Sequence, residues 1–179
     1  MDPKYFSVAA ALGEAMAQRE WGLIYGGGKT GLMGTVARSV KAGGGRVVGV
    51  IPEFMKEREL AFTEADELIS VITMRERKLL METRADAFLA LPGGWGTLEE
   101  LLETLTLAHL ETLQKPIIIL NQEGYYDDLL RLFERIVAEK FMHATIRGKY
   151  AVAHTVEEIF PLLDGLSYQP GDAKWFNTR

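Results

Sequence analysis

WGLIYGGGKTGLMGTVARSVKAGGGRVVGVI, residues 21–51, decides the fold. Trp21 to Tyr25 is a short apolar run closed by glycines, as a buried strand would be. Leu32, Met33, Val36, Ala37 and Val40 then recur at helical spacing, and Gly43 to Gly45 stop the stripe. VVGVI at 47–51 is rich in β-branched residues and reads as a second strand. Strand, glycine turn, helix and strand make a βαβ unit, and such a unit implies parallel pairing.

The pattern repeats outward from there. Tyr5, Phe6, Ala9, Leu12 and Met16 predict a helix over roughly 5–19. Leu68 to Ile72 reads as a brief strand, 74–85 as a charged helix, and AFLAL at 87–91 as a strand. Helices are predicted over 97–113, 125–140 and 156–163, with the strand PIIIL at 116–120. Residues 52–65 are polar and irregular, with room for a short helix. The strands are continuous apolar runs, so the sheet is covered on both faces. The expected fold is α/β, a Rossmann-like doubly wound parallel sheet flanked by helices on both faces, in a single domain over 1–179. Folds of this kind bind ligands at the carboxyl ends of their strands.

Composition narrows the chemistry. The 179 residues contain no cysteine, which removes disulfides, thiolate nucleophiles, iron–sulfur clusters and cysteine-bound zinc. His109, His143 and His154 are too scattered for a readable metal triad, so no metal is expected. Twenty basic against 25 acidic residues give a net charge of −5, which disfavours a nucleic-acid partner. No apolar run reaches the ~18 residues of a membrane span, and MDPKYFSVAA does not read as a secretory signal. These features predict a soluble cytoplasmic enzyme or small-ligand binder.

Two glycine loops stand at predicted strand ends. YGGGKTGLMG, 25–34, contains Gly26-x-Gly28-x-x-Gly31, the spacing of a dinucleotide fingerprint, whose helix N–H groups can receive a phosphate. It also imitates a phosphate-binding P-loop through Gly28-Lys29-Thr30, but the required first glycine would fall at Leu23, inside the strand. Glu53 lies near the place of the fingerprint's ribose-binding acid. The alternative is a turn that merely allows tight strand–helix packing. The second loop, ALPGGWGTLEEL at 90–101, has Pro92 to stop the strand and Gly93, Gly94 and Gly96 to turn. A glycine loop opening a helix makes an anion nest. Thr97 is placed to cap that helix, and Thr97-Leu98-Glu99-Glu100 has the form of a capping box. Capping and catalysis therefore stand level for Glu100. Trp95 at the tip either walls a base pocket or covers the core. Between the loops, MRERK at 74–78 reads as a solvated helix face or as a phosphate-reaching pair, Arg77 and Lys78.

Together these residues resemble the Lonely Guy (LOG) family, often labelled as lysine decarboxylases. The family's GGGxxGLMG and PGGxGTxxE loops stand intact at Gly26–Gly34 and Pro92–Glu100. Its Met-His-x-Arg-Lys segment appears as Met74 to Lys78, with Arg75 in place of histidine. VIP at 50–52 and GYY at 124–126 also look like the family, and the likeness covers about residues 3–163. The resemblance implies a cytokinin riboside 5′-monophosphate phosphoribohydrolase, which cleaves N6-substituted AMP to free base and ribose 5-phosphate. It implies Arg77 and Glu100 as the catalytic pair. Gly26, Gly27, Gly28, Glu59, Lys78, Gly93, Gly94, Trp95, Gly96, Thr97, Glu99 and Thr106 would bind the nucleoside 5′-monophosphate. It implies no cofactor, and a homodimer or larger homo-oligomer. Family chains begin with a strand and a Gly-Ser-Ser loop ahead of the segment matching Asp2-Pro3-x-Tyr5, so the natural start is expected upstream of Met1. A non-catalytic carrier of a nucleotide or molybdenum cofactor is the competing reading. Amino-acid decarboxylation would need a lysine for pyridoxal phosphate, and Lys29 and Lys78 are candidates by position alone.

Overall fold

In a computed structural model, residues 1–56 and 60–165 are described. The βαβ stretch folds as read. Strand β1 is Leu23–Tyr25, helix α2 is Gly31–Ala42 and strand β2 is Val47–Pro52, following helix α1 at Pro3–Gln18. The chain forms two compact units, the first over Met1–Ala85 and the second from Asp86 onward. Each is a parallel α/β arrangement, as the apolar strand pattern predicts.

The first unit carries a three-stranded sheet in the order β1-β2-β3, all parallel, with β3 at Glu67–Val71. Central β2 is buried at all six residues, which is why its sequence is an unbroken apolar run. Helix α1 starts earlier than its periodicity suggests. Asp2 caps it, accepting from the Lys4 N–H at 3.0 Å, and Pro3 occupies the first helical position, where its missing N–H costs nothing. Helix α3, Met74–Arg84, packs on the sheet. It opens with a capping box absent from the sequence reading: the Glu76 N–H donates to Thr73 Oγ1 at 3.1 Å. The Glu76 carboxylate in return accepts from the Thr73 N–H, also at 3.1 Å. At the other end of α3, Arg84 grips Glu67 with both guanidinium arms, at 2.8 and 2.9 Å, and Arg46 adds a third bond at 3.1 Å. Those cations hold the Glu67 carboxyl down at about 2.

The second unit repeats the plan with strands β4 (Phe88–Ala90), β5 (Ile117–Leu120) and β6 (Ala151–Ala153), parallel and in that order. Central β5 is buried throughout. Strand β6 is missing from the sequence reading because three residues are too short to show a period. Helix α4 spans Trp95–His109, and helices α5 (Asp127–Ala138) and α6 (Val156–Gly165) follow. Leu101, Leu105 and Ala108 turn one face of α4 into the core, with Ile117, Ile119 and Tyr126. The expected range of 97–113 needs correction at both ends. Gly94 is the N-cap, so the helix begins two residues before Thr97. At the other end the Glu111 backbone turns left-handed, and the Thr112 and Leu113 N–H groups fold back onto the Leu107 carbonyl. Leu113 still reaches the core, which is why the apolar pattern runs past the helix.

Candidate functional site

The first glycine loop leaves the carboxyl end of β1. Its shape is dictated by Arg77, which is only 5% exposed. From α3, the Arg77 guanidinium donates through Nη2 to the Gly26 carbonyl at 2.9 Å and through Nε to the Val50 carbonyl at 3.1 Å. It thereby clamps the carboxyl ends of β1 and β2 together. A Cβ on residue 26 would lie 1.8 Å from Nη2, so position 26 is glycine because Arg77 fills the space. Gly27 adopts φ +80°, a left-handed turn that only glycine enters cheaply. Its carbonyl accepts from the Phe62 N–H at 2.8 Å, and Gly28 bridges Ala61. Gly34 is glycine for a steric reason too: a Cβ there would stand 1.9 Å from the Lys29 carbonyl oxygen. The solvated-face reading of MRERK is thus right for exposed Arg75 and wrong for Arg77. Lys78 is half-buried beside it. Lys29 is exposed, and its carbonyl accepts from Arg38 at 2.8 Å.

The second loop leaves the carboxyl end of β4 and opens α4. Because the cap is Gly94 and it offers no side chain, Thr97 is the third residue of the helix rather than its cap. The Thr97–Glu100 capping box is therefore corrected, and that explanation of Glu100 falls away. Thr97 instead leans back over Gly93, where a Cβ would meet its Oγ1 at 2.1 Å. Glu100 is half-buried and lies one turn on, so it shares that face. Side chains on a helix tilt toward its N-terminus, so Glu100 inclines toward Thr97 and Gly93. The first-turn N–H groups of α4 have no carbonyl partner within the helix and carry its positive dipole end. Gly94, Trp95, Gly96 and Glu99 are exposed, with Trp95 88% so. The core-covering reading of Trp95 is accordingly wrong.

Sequence reasoning passed over the residues that hold this loop. The Tyr125 hydroxyl donates to the Gly93 carbonyl at 2.7 Å, and the Tyr126 hydroxyl donates to the Leu91 carbonyl at 2.6 Å. Burial pushes the Tyr126 phenol above its ordinary range, so it remains a donor. Asn121, 1% exposed, accepts from the Tyr126 N–H at 2.7 Å and donates to Asp127, also at 2.7 Å. A polar residue directly after a buried strand was the available signal.

Other predicted positions stand elsewhere. Glu59 lies outside the described residues, as does the chain beyond 165. Thr106 sits 11 residues after Trp95 on α4, about 16 Å along the axis at 1.5 Å per residue, so the helix does not bring it to the glycine loop. Its hydroxyl donates to the Leu102 carbonyl at 2.7 Å. It lines an apolar cleft of about 70 Å³ with Leu102, Phe133, Ile136 and Met142. Glu53 does not stand free for a ribose, since Ser70 and Lys56 both engage its carboxylate. A larger hollow, about 430 Å³, lies among Lys41, Gly44, Gly45, Arg46 and Asp66. These residues precede or flank the amino end of β2, opposite the glycine-loop end, and both cations are paired to carboxylates. Among the described residues, no cluster of three histidine or acidic side chains could hold a metal ion, and no helix is long and apolar enough to cross a membrane.

The chain is similar to known proteins in both sequence and fold. A family model described as "Possible lysine decarboxylase" matches residues 33–163. The chain is 42% identical over 168 residues to the cytokinin riboside 5′-monophosphate phosphoribohydrolase LOG7 of Arabidopsis thaliana, covering 94% of this chain and 76% of that protein. It is 43% identical over 169 residues to the "Probable cytokinin riboside 5'-monophosphate phosphoribohydrolase LOGL5" of Oryza sativa subsp. japonica, covering 94% and 69%. Among solved structures, the molybdenum cofactor carrier protein MCP of Chlamydomonas reinhardtii superposes with a TM-score of 0.70 at 21% identity, over 93% of this chain and 89% of the other. That likeness establishes shared fold alone. With both glycine loops intact and relatives above 40% identity across nearly its whole length, the chain belongs to the Lonely Guy family.

Proposed function

We propose that this protein hydrolyses the N-glycosidic bond of N6-substituted adenosine 5′-monophosphates, releasing the free base and ribose 5-phosphate. The observation that carries the reading is the capping of α4 by Gly94, which makes Thr97 the third helical residue and leaves Glu100, one turn on, outside the cap. The relatives named above supply the substrate class. Water forms a bond to C1′ while the C1′–N9 bond breaks and its electron pair leaves with the base, which takes up a proton. The ribose passes through an oxocarbenium-like state. The Glu100 carboxylate stabilises that charge or takes the proton from the attacking water. The N–H groups of Gly94 to Thr97 hold the 5′-phosphate, and Trp95 and Glu99 border the bound nucleotide. The family resemblance assigns catalysis to Arg77 as well, and within its own unit Arg77 braces the Gly26–Gly28 loop, with Lys78 adding positive charge. Phosphate binding contributes orientation at the reacting bond, so the monophosphate is preferred to the nucleoside.

Incubation with N6-isopentenyl-AMP and with AMP, followed by chromatography, is expected to show free base and equimolar ribose 5-phosphate. Absence of base from both substrates overturns the reading and favours a non-catalytic carrier.

We propose further that the protein works as a homodimer joined through the α4–α5 cleft. Supporting this, Leu102 on the cleft is 43% exposed, and Leu132 on α5 and Phe141 just after it are 51% and 82% exposed, large apolar side chains of the kind enriched at protein contacts. Leu102→Asp places a charge on that surface without disturbing the core. Light scattering should then report the mass of one chain for the variant and of two for the wild type. Equal masses for the two proteins would refute the interface.

A further inference from the structure

We propose that Tyr125 is a positioning residue that aims the Gly94 N–H at the substrate's 5′-phosphate. The inference rests on the reading above and deepens it. The peptide joining Gly93 to Gly94 is flanked by two glycines, so side-chain sterics do little to oppose its rotation. In a trans peptide the C=O and N–H point in opposite directions within one plane, and the described chain has no cis bond. The Tyr125 hydroxyl holds the Gly93 carbonyl at 2.7 Å and thereby turns the Gly94 N–H to the opposite side. Gly94 itself is exposed, and a Cβ built on it meets nothing within 4 Å.

Tyr125 is itself anchored. Its ring meets the Tyr126 ring edge-on, with centroids 4.9 Å apart and planes at 89°. Tyr126 is fixed at its hydroxyl by Leu91 and at its N–H by Asn121. The turn entering the pair has left-handed backbone at Glu123 and Gly124, and a Cβ on Gly124 would fall 2.6 Å from the Asp127 carboxylate. The two hydroxyls have different consequences. Leu91 precedes Pro92, which has no N–H to aim, so the Tyr126 bond to the Leu91 carbonyl secures the strand end, while the Gly93 N–H meets the same phenol oxygen. Tyr125 instead fixes the carbonyl of the peptide that carries the Gly94 N–H.

Tyr125→Phe keeps the ring contact and removes the lock. Calorimetric titration should show AMP and inorganic phosphate binding about 2- to 13-fold more weakly than to wild type, the equivalent of one net hydrogen bond. The KM for N6-isopentenyl-AMP should rise by the same factor with kcat nearly unchanged, while kcat/KM for the corresponding nucleoside stays constant. Tyr126→Phe loosens the ring that anchors Tyr125, so it should lower Tm and weaken phosphate binding by less than Tyr125→Phe does. Unaltered AMP and phosphate affinity in Tyr125→Phe would overturn the inference, as would an equal loss on monophosphate and nucleoside. Should wild type release no base, the hydrolase reading fails, and the titrations still decide the role of Tyr125. Wild type that binds neither AMP nor phosphate overturns both.

Discussion

Glu100→Gln is expected to lower kcat by about 10²-fold or more, the scale of general acid–base catalysis, with Tm and oligomeric state unchanged. The substitution preserves shape and removes only the charge and the basicity. Two effects oppose one another here. Glutamine can still act as a helix residue of good propensity, so a purely structural Glu100 would be replaced at little cost. A carboxylate that stabilises a developing oxocarbenium ion has no substitute in an amide. The position of Glu100 in the second turn of α4, with Gly94 already capping the helix, removes the competing explanation that a lost cap would disturb the fold. Steady-state turnover of N6-isopentenyl-AMP, measured beside thermal unfolding, separates the two. Near-normal turnover in the variant would take Glu100 out of the chemistry. A fall in Tm matching the fall in rate would assign it to structure.

Arg77→Ala should damage both stability and activity. The guanidinium is 5% exposed and donates to two backbone carbonyls, from different strands, at 2.9 and 3.1 Å. Hydrogen bonds to charged groups contribute about 1.5–3 kcal/mol each, so losing both costs about 3 kcal/mol or more. For a chain of this size each kcal/mol shifts Tm by about 2–4 °C, which predicts a fall of roughly 6–12 °C. The Gly26 loop then loses its clamp, and KM should rise while kcat falls. Arg77→Lys restores the charge but not the fork that spans two carbonyls, so it should recover stability only in part. A Tm for Arg77→Ala within 1–2 °C of wild type, with unchanged kinetic constants, would refute both the clamp and the catalytic role of Arg77.

The two glycine loops were legible from sequence because glycine clusters following apolar runs have few other uses. What each glycine does was not. Gly26 matches a dinucleotide fingerprint by spacing, yet its lack of a side chain is accounted for by an arginine 51 residues away. The capping-box pattern is a four-residue motif, and the chain contains it three times, at Thr73–Glu76, Thr97–Glu100 and Thr155–Glu158. Thr73–Glu76 forms the box and Thr97–Glu100 does not, because helix α4 had already begun at Trp95. A local motif cannot report where the preceding turn ends. MRERK carries three cations in four residues, and only the register of α3 against the sheet decides that Arg77 is buried and Arg75 exposed. Thr106 came from the family resemblance, outside the two tight motifs, and helical rise carries it away from the second loop.

Unaided, the order of residues determined the α/β class, the parallel strands and both loops, since these depend on local periodicity and on glycine's backbone freedom; the family came from the likeness of the loop motifs to known ones. Only the tertiary structure decided that Arg77 clamps β1 to β2, that Glu100 is not a cap, and that Tyr125 and Tyr126 hold the second loop. Those contacts join residues tens of positions apart. Their partners are backbone carbonyls, which every residue carries and no sequence pattern marks.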